Sequence, residues 1–176
     1  MRIVSGSHRG KIIRAPKNLP VRPTTDMAKE GLFNILTNRF FFEDIRALDL
    51  FCGIGSISLE LASRGTPHIQ AVDNHGPTIA FLKKTVEELH FSGIEITRAD
   101  VLTYLKSAYQ TYDFIFADPP YEYPEYDEVI RLVLDRELLN EGGFLVVEHD
   151  RRHSYTDHPN FFEHRRYGGV EFSFFR

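Results

Sequence analysis

Four consecutive residues, Asp118-Pro119-Pro120-Tyr121, carry the most specific chemistry in the chain. They follow the apolar run Phe114-Ile115-Phe116-Ala117, which reads as a β-strand. Neither proline can donate to a sheet ladder and each fixes its own φ, so the backbone past the strand is rigid. What remains is a carboxylate and carbonyl oxygens, all acceptors. A planar –NH₂ group, with two donors to satisfy, is their complement. Tyr121 adds an aromatic face on which a base can stack, a contact worth about 1–3 kcal/mol. Alone, the tetrapeptide also reads as a Pro-rich turn that ends a strand.

A second group of residues favours the chemical reading. Asp49-Leu50-Phe51-Cys52-Gly53-Ile54-Gly55 closes an earlier strand, and its two glycines let the backbone turn tightly with a ligand against it. The full dinucleotide fingerprint needs a third glycine at position 58, where Ser58 stands, which counts mildly against a pyrophosphate site. Asp73 ends the next strand, where a carboxylate can accept two hydrogen bonds from a ribose diol or cap a helix. Asp100 holds the same place after the third strand, and contact with an adenine amino group and helix capping are equally open to it.

The elements that must position these residues follow from periodicity. Short β-like runs at 2–5 and 11–14 flank Gly6-Ser7-His8-Arg9-Gly10, a hairpin pattern. Residues 24–38 read as a helix capped by Thr24 or Thr25, with Leu32, Phe33, Ile35 and Leu36 on its apolar side. From Arg46 strands and helices alternate: strands at 47–51, 68–73, 94–97, 114–117 and 143–148, helices between them, and a closing hairpin of 161–166 and 170–175 turning at Gly168-Gly169. Repeated βα units imply a mostly parallel sheet covered by helices on both faces, with ligands at the carboxyl ends of its strands.

Size and composition agree. A chain of 176 residues suits one domain with a real core. The one cysteine, Cys52, excludes an internal disulfide, and no Cys/His spacing suggests zinc. The first residues do not begin a signal peptide and no run is long enough to span a membrane, so a reducing, cytoplasmic location is expected. The four histidines near the C-terminus, His149, His153, His158 and His164, are irregularly spaced and read as surface or sheet positions, with no metal expected. The net charge of −4 hides an asymmetry: residues 1–25 carry six cations and no acid, so the other 151 residues carry −10. A basic arm on an acidic body can present a polyanion-binding patch or simply be solvated.

The sequence Asp-Leu-Phe-Cys-Gly-Ile-Gly-Ser with a downstream Asp-Pro-Pro-Tyr resembles the class I methyltransferases that modify exocyclic amino groups. Gly6-Ser7-His8-Arg9-Gly10-Lys11, Arg22-Pro23-Thr24-Thr25-Asp26 and Glu30-Gly31-Leu32-Phe33-Asn34 narrow the likeness. With them the chain resembles the bacterial 16S rRNA guanine-N2 methyltransferase family usually called RsmD, over nearly its whole length. That resemblance implies a Rossmann-like α/β fold with a seven-stranded sheet, a hairpin extension over 1–20 and a catalytic domain over 21–176. It implies S-adenosylmethionine as cofactor, held by Asp49, Phe51, Gly53, Gly55, Asp73 at the ribose, Asn74, Asp100 at the adenine and Val101. Asp118, Pro119, Pro120 and Tyr121 would act on the base, and Arg9, Lys11, Arg14 and Arg22 would contact RNA. The expected partner is 16S rRNA within a small subunit or an assembly intermediate, met by a monomer. Family members often have Ala-Gly-Ser-Gly where this chain has Cys52-Gly53-Ile54-Gly55, and an aromatic residue where His8 stands.

Other readings share parts of the pattern. An adenine-N6 DNA methyltransferase or a glutamine methyltransferase presents an –NH₂ to the same acceptors. A dinucleotide-dependent oxidoreductase shares the glycine turn and Asp73 but leaves Asp118-Pro119-Pro120-Tyr121 unexplained. A catalytically silent RNA-binding factor has no need of Gly53, Gly55, Asp73 and Asp118 together.

Overall fold

The computed structural model describes residues 1–20 and 22–176; Val21, where the catalytic domain was expected to begin, lies outside the described residues. Seven strands form one sheet: β1 (Arg46–Leu50), β2 (His68–Asp73), β3 (Ile94–Arg98), β4 (Tyr112–Ala117), β5 (Leu139–His149), β6 (Phe161–Tyr167) and β7 (Val170–Phe175). Their order is β3-β2-β1-β4-β5-β7-β6. The first five run parallel, and β7 pairs antiparallel with both β5 and β6. The chain therefore reverses direction across the sheet between β1 and β4, the switch point at which ligands of such sheets bind.

Five helices cover the sheet: α1 (Asp26–Thr37), α2 (Ser56–Ser63), α3 (Gly76–Glu88), α4 (Val101–Ser107) and α5 (Tyr126–Asp135). Strand parity decides which side chain meets which helix. Phe114, Phe116, Phe144, Val146, Phe172 and Phe174 point to the face packed by Ala28, Leu32, Phe33 and Leu36 of α1 and by Ile57 and Leu61 of α2. Ile115, Ala117, Leu145, Val147 and Phe175 point the other way, onto α4 and α5. Thr25 caps α1 by accepting from the Ala28 amide at 3.2 Å. Gly31 lets α1 lie against the closing hairpin, because a Cβ there would stand 2.2 Å from the Tyr167 ring.

The N-terminal arm is hydrogen-bonded as a hairpin, with the Ile3 amide donating to Lys11 and the Ile13 amide to Met1. It is docked, not free. Ile3 and Ile13 are buried with Leu59, Ile79 and Leu82 of α2 and α3. The Val4 and Ser5 amides both donate to the Glu60 carboxylate of α2, at 2.8 and 3.0 Å. Lys29 of α1 stands 3.6 Å from the same carboxylate, with both side chains 0% exposed. No helix among the described residues is long and apolar enough to cross a membrane.

Candidate active site at the carboxyl edge of the sheet

A cavity of about 530 Å³ opens at the carboxyl ends of β1, β2 and β4. It is within the roughly 300–1,000 Å³ usual for small-molecule sites. The turns after β1, β2, β3 and β4 line it, and the segment before α1 closes one side with Pro20, Arg22, Pro23 and Thr24. Of the residues expected at the cofactor site, Asp49, Phe51, Gly53, Asp73, Asn74, Asp100 and Val101 all line this one cavity. Gly55 does not line it; it is the left-handed N-cap of α2, and a Cβ there would press 2.4 Å from Leu82. Asp118, Pro119, Pro120 and Tyr121 line the same cavity. Arg9, Lys11 and Arg14 lie elsewhere, exposed on the docked hairpin, and among the described residues none forms an ion pair.

The carboxylates are held in different ways. Asp73 accepts the Gly53 amide at 2.9 Å and the His75 amide at 3.0 Å, so it ties the glycine turn to the end of β2. It is not the cap of α3; His75 is, through its own side chain. Asp100 does cap its helix, accepting the Thr103 amide and hydroxyl on Oδ2 at 2.9 and 3.1 Å. Its Oδ1 takes no donor among the described residues. Gly53, at φ +55, has nothing within 4 Å of where a Cβ would stand, so its backbone faces open space.

Asp49 is nearly inaccessible and accepts both the amide and the hydroxyl of Ser58, at 3.1 and 2.6 Å. The serine that stands where a dinucleotide site has glycine therefore has its own task. Burial pushes the Asp49 carboxyl up to about 7, with Ser58 opposing the shift and Asp73 adding to it. Between the ordinary aspartate value, roughly 4, and about 7 the folded chain thus holds a proton that the unfolded chain has lost. Stability falls as pH rises through that window. Urea unfolding should show the wild type losing at least ~1 kcal/mol more than Asp49→Asn between pH 5 and pH 8; equal losses would remove Asp49 as the source.

The Asp118 carboxylate accepts no hydrogen bond from any described residue. Burial pushes its carboxyl well above the usual range, Glu148 beside it adds to the shift, and Arg22 opposes it. The proline carbonyls are not bare, as the sequence suggested. The Tyr126 hydroxyl reaches both, at 3.1 Å from Pro119 and 3.2 Å from Pro120. The Tyr123 amide also donates to Pro120 at 2.8 Å, so the free acceptor capacity is on Pro119. The Tyr121 face is covered as well: the Arg22 guanidinium lies 3.6 Å from its centroid. Arg22 thus belongs to the base end of the cavity, apart from the cations of the arm.

Glu148 is the residue the sequence reading passed over. It ends the apolar run of β5 as Asp73 ends that of β2, and that pattern was the available signal. The β4–β5 register pairs Ala117 with Val147, which sets Asp118 beside Glu148. Glu148 is 2% exposed, accepts the Thr24 hydroxyl at 2.9 Å, and is pushed up to about 7 by burial. Burial also raises the Cys52 thiol well above its ordinary value, which disfavours the thiolate at this lining residue. Among the described residues no group of three His, Cys, Asp or Glu side chains is placed to hold a metal ion.

The model of the Cons_hypoth95 family, described as conserved hypothetical protein 95, matches residues 1–176. A Bacillus subtilis (strain 168) protein named "Putative rRNA methyltransferase YlbH" is 35% identical over 155 residues, 86% of this chain and 83% of that protein. A Buchnera aphidicola (subsp. Acyrthosiphon pisum) protein named "Ribosomal RNA small subunit methyltransferase D" is 32% identical over 154 residues, 86% of this chain and 79% of that protein. A solved structure of a hypothetical protein from Thermus thermophilus superposes with a TM-score of 0.87 at 25% identity, covering 100% of this chain and 99% of that one.

Proposed function

The chain belongs to the Cons_hypoth95 family, and from that premise we propose that it transfers a methyl group from S-adenosylmethionine to the exocyclic N2 of a guanine in 16S rRNA. The observation that carries the chemistry is the Asp118 carboxylate. It lacks a donor of its own and lines the cavity that also holds Gly53, Asp73 and Asp100. The names of the curated relatives support rRNA of the small subunit as the substrate.

The cavity fits the cofactor. Asp73 and Oδ1 of Asp100 offer acceptors for a ribose diol and an adenine amino group, Gly53 leaves room against the backbone, and Phe51, Asn74 and Val101 complete the wall. S-adenosylmethionine supplies, when bound, a methyl group made electrophilic by its sulfonium. The protein's work is then mostly positioning. Asp118 and the Pro119 carbonyl accept the two N–H bonds of the amine, draw it out of conjugation with the ring, and expose its lone pair. Asp118 in its ionised form stabilises the positive charge that develops on nitrogen and is placed to take the proton the methylated amine sheds, while the sulfur keeps the electrons of the broken S–CH₃ bond. The Tyr126 hydroxyl holds the proline carbonyls at a fixed angle, and Tyr121 receives the ring after the base has left its stack.

The substrate is read as a small subunit or assembly intermediate in the cytoplasm, and the enzyme as a monomer. The arm anchors the RNA through phosphate. Neutralising Arg9, Lys11 and Arg14 together should make the slope of log affinity against log salt shallower by about 2–3; an unchanged slope would return the arm to plain solvation. The proposal is tested by incubating the protein with labelled S-adenosylmethionine and either free 16S rRNA or small subunits, then digesting to nucleosides. N2-methylguanosine is the expected product. N6-methyladenosine, or no transfer to RNA, would overturn it.

A further inference from the structure

Resting on that reading, we propose that Glu148 selects guanine, and that Arg22 occupies the place of the acceptor base until guanine displaces it. C2 of guanine, with N1, N2 and N3, is itself a guanidine unit: planar, with an N–H and an –NH₂ along one edge. The Arg22 guanidinium presents the same kind of group in the same place. It lies 3.6 Å from the Tyr121 centroid, and its charge acts on both Asp118 and Glu148. The aromatic face of this site is thus already covered by a planar array of N–H donors, which among the described residues makes no hydrogen bond or ion pair to either carboxylate and leaves both open to the base.

The two carboxylates are laid side by side by the sheet. Asp118 follows Ala117 and Glu148 follows Val147, which are register partners on neighbouring parallel strands. Such strands stand about 4.8 Å apart. The side chains share a face, because their parity matches that of Phe116 and Val146, both packed against α1. Thr24 donates to Oε2 of Glu148 at 2.9 Å and fixes the carboxylate, while Oε1 takes no donor among the described residues. Arg22 lines the cavity over the Tyr121 face and Glu148, 2% exposed, lies behind that lining; in the proposed exchange the base takes the Tyr121 face as Arg22 leaves it and turns its edge to Glu148.

With Arg22 displaced, the amine meets Asp118 and the neighbouring ring nitrogen meets Glu148. That neighbour separates the substrates sharing an –NH₂ group. In guanine it is N1–H, a donor that a carboxylate accepts. In adenine and cytosine the ring nitrogen beside the amine is an acceptor, and in a glutamine amide the neighbour is a carbonyl oxygen. Each of these would set a lone pair against Glu148. A site built to bond a group rejects the analogue lacking it by large factors. Asp118 therefore defines the reaction, and Glu148 the base that undergoes it.

The test uses 2-aminopurine, which keeps the acceptor amine at C2 but lacks the proton on N1. At the nucleotide mapped by the transfer experiment, ligation would place either guanosine or 2-aminopurine in 16S rRNA. At pH 8 the wild type should methylate guanosine at least about 100-fold faster. Glu148→Gln, whose amide can donate to N1 of 2-aminopurine and still accept from Thr24, should slow the guanosine reaction and bring the two rates within tenfold. Calorimetry with S-adenosylmethionine should show its cofactor affinity intact. Equal wild-type rates on the two RNAs would overturn the proposal, and this comparison needs no variant to fold. An undiminished preference in Glu148→Gln would overturn it too. Both outcomes leave the methyltransferase reading standing, whereas failure of the wild type on guanosine strikes that reading instead.

Discussion

Replacing Asp118 with Ala should reduce methyl transfer to rRNA by about a hundredfold to a thousandfold, while S-adenosylmethionine affinity changes less than threefold. The magnitude follows from the role. In the proposed role Asp118 accepts from the amine and balances charge that appears only as the new bond forms, so its loss should raise the barrier without weakening the ground state equally. Removing one preorganised electrostatic partner of this kind costs about 2.7–4 kcal/mol, a factor of about 100 to 1,000. Asp118→Asn keeps an acceptor but loses the charge and should fall between the alanine variant and the wild type. Cofactor binding should be spared because Asp73, Asp100 and Gly53, the residues proposed to hold it, lie on other turns of the cavity. Single-turnover transfer and calorimetry on the same preparations separate the two effects. A normal rate in Asp118→Ala would remove Asp118 from the chemistry.

The largest loss of stability should come from Glu60, far from the reaction. Its carboxylate serves the Val4 and Ser5 amides, Lys29 and Arg64, and neither it nor Lys29 reaches solvent. Glu60→Ala would strand the Lys29 ammonium in the interior. Burial already pulls the Lys29 pKa down, and Glu60 is the first group working against that pull. Breaking a buried pair on one side costs about 3–5 kcal/mol, a large part of the roughly 5–15 kcal/mol that holds a domain of ordinary stability. Removing both charges should cost less. Lys29→Met combined with Glu60→Gln removes the fully buried ammonium, leaves only Arg64, which reaches solvent, without its carboxylate, and keeps an acceptor for the hairpin amides, so it should recover part of the loss in urea unfolding. A double variant no more stable than Glu60→Ala would show that the hairpin amides, not the ammonium, dominate.

The fold was legible because its signals are local and repeated. Strands β2 and β7 match their expected spans, His68–Asp73 and Val170–Phe175, and the other boundaries differ by a few residues. The apolar runs of β1, β4 and β5 are those of strands buried on both faces. The likeness to the RsmD family and the seven-stranded sheet are borne out by the family model and the strand order. What the sequence could not show was how side chains partner across elements. Asp73 and Asp100 looked alike as strand-ending acids, yet one ties the glycine turn and the other caps a helix. Tyr126 meets Pro119 and Pro120 only because α5 folds back under the turn. Arg22 read as one more cation of a basic arm, but the crossing of its segment over the sheet edge sets it on Tyr121. Glu148 lies thirty residues beyond Asp118 in the chain, and only the β4–β5 register makes them neighbours.

The most direct measurement is nucleoside mass spectrometry of 16S rRNA from cells with the gene deleted, and from the same cells carrying either the wild-type gene or Asp118→Ala. The account predicts that one N2-methylguanosine disappears on deletion, returns with the wild type and stays absent with Asp118→Ala. A full complement of N2-methylguanosine in the deleted strain, or its restoration by Asp118→Ala, would contradict it.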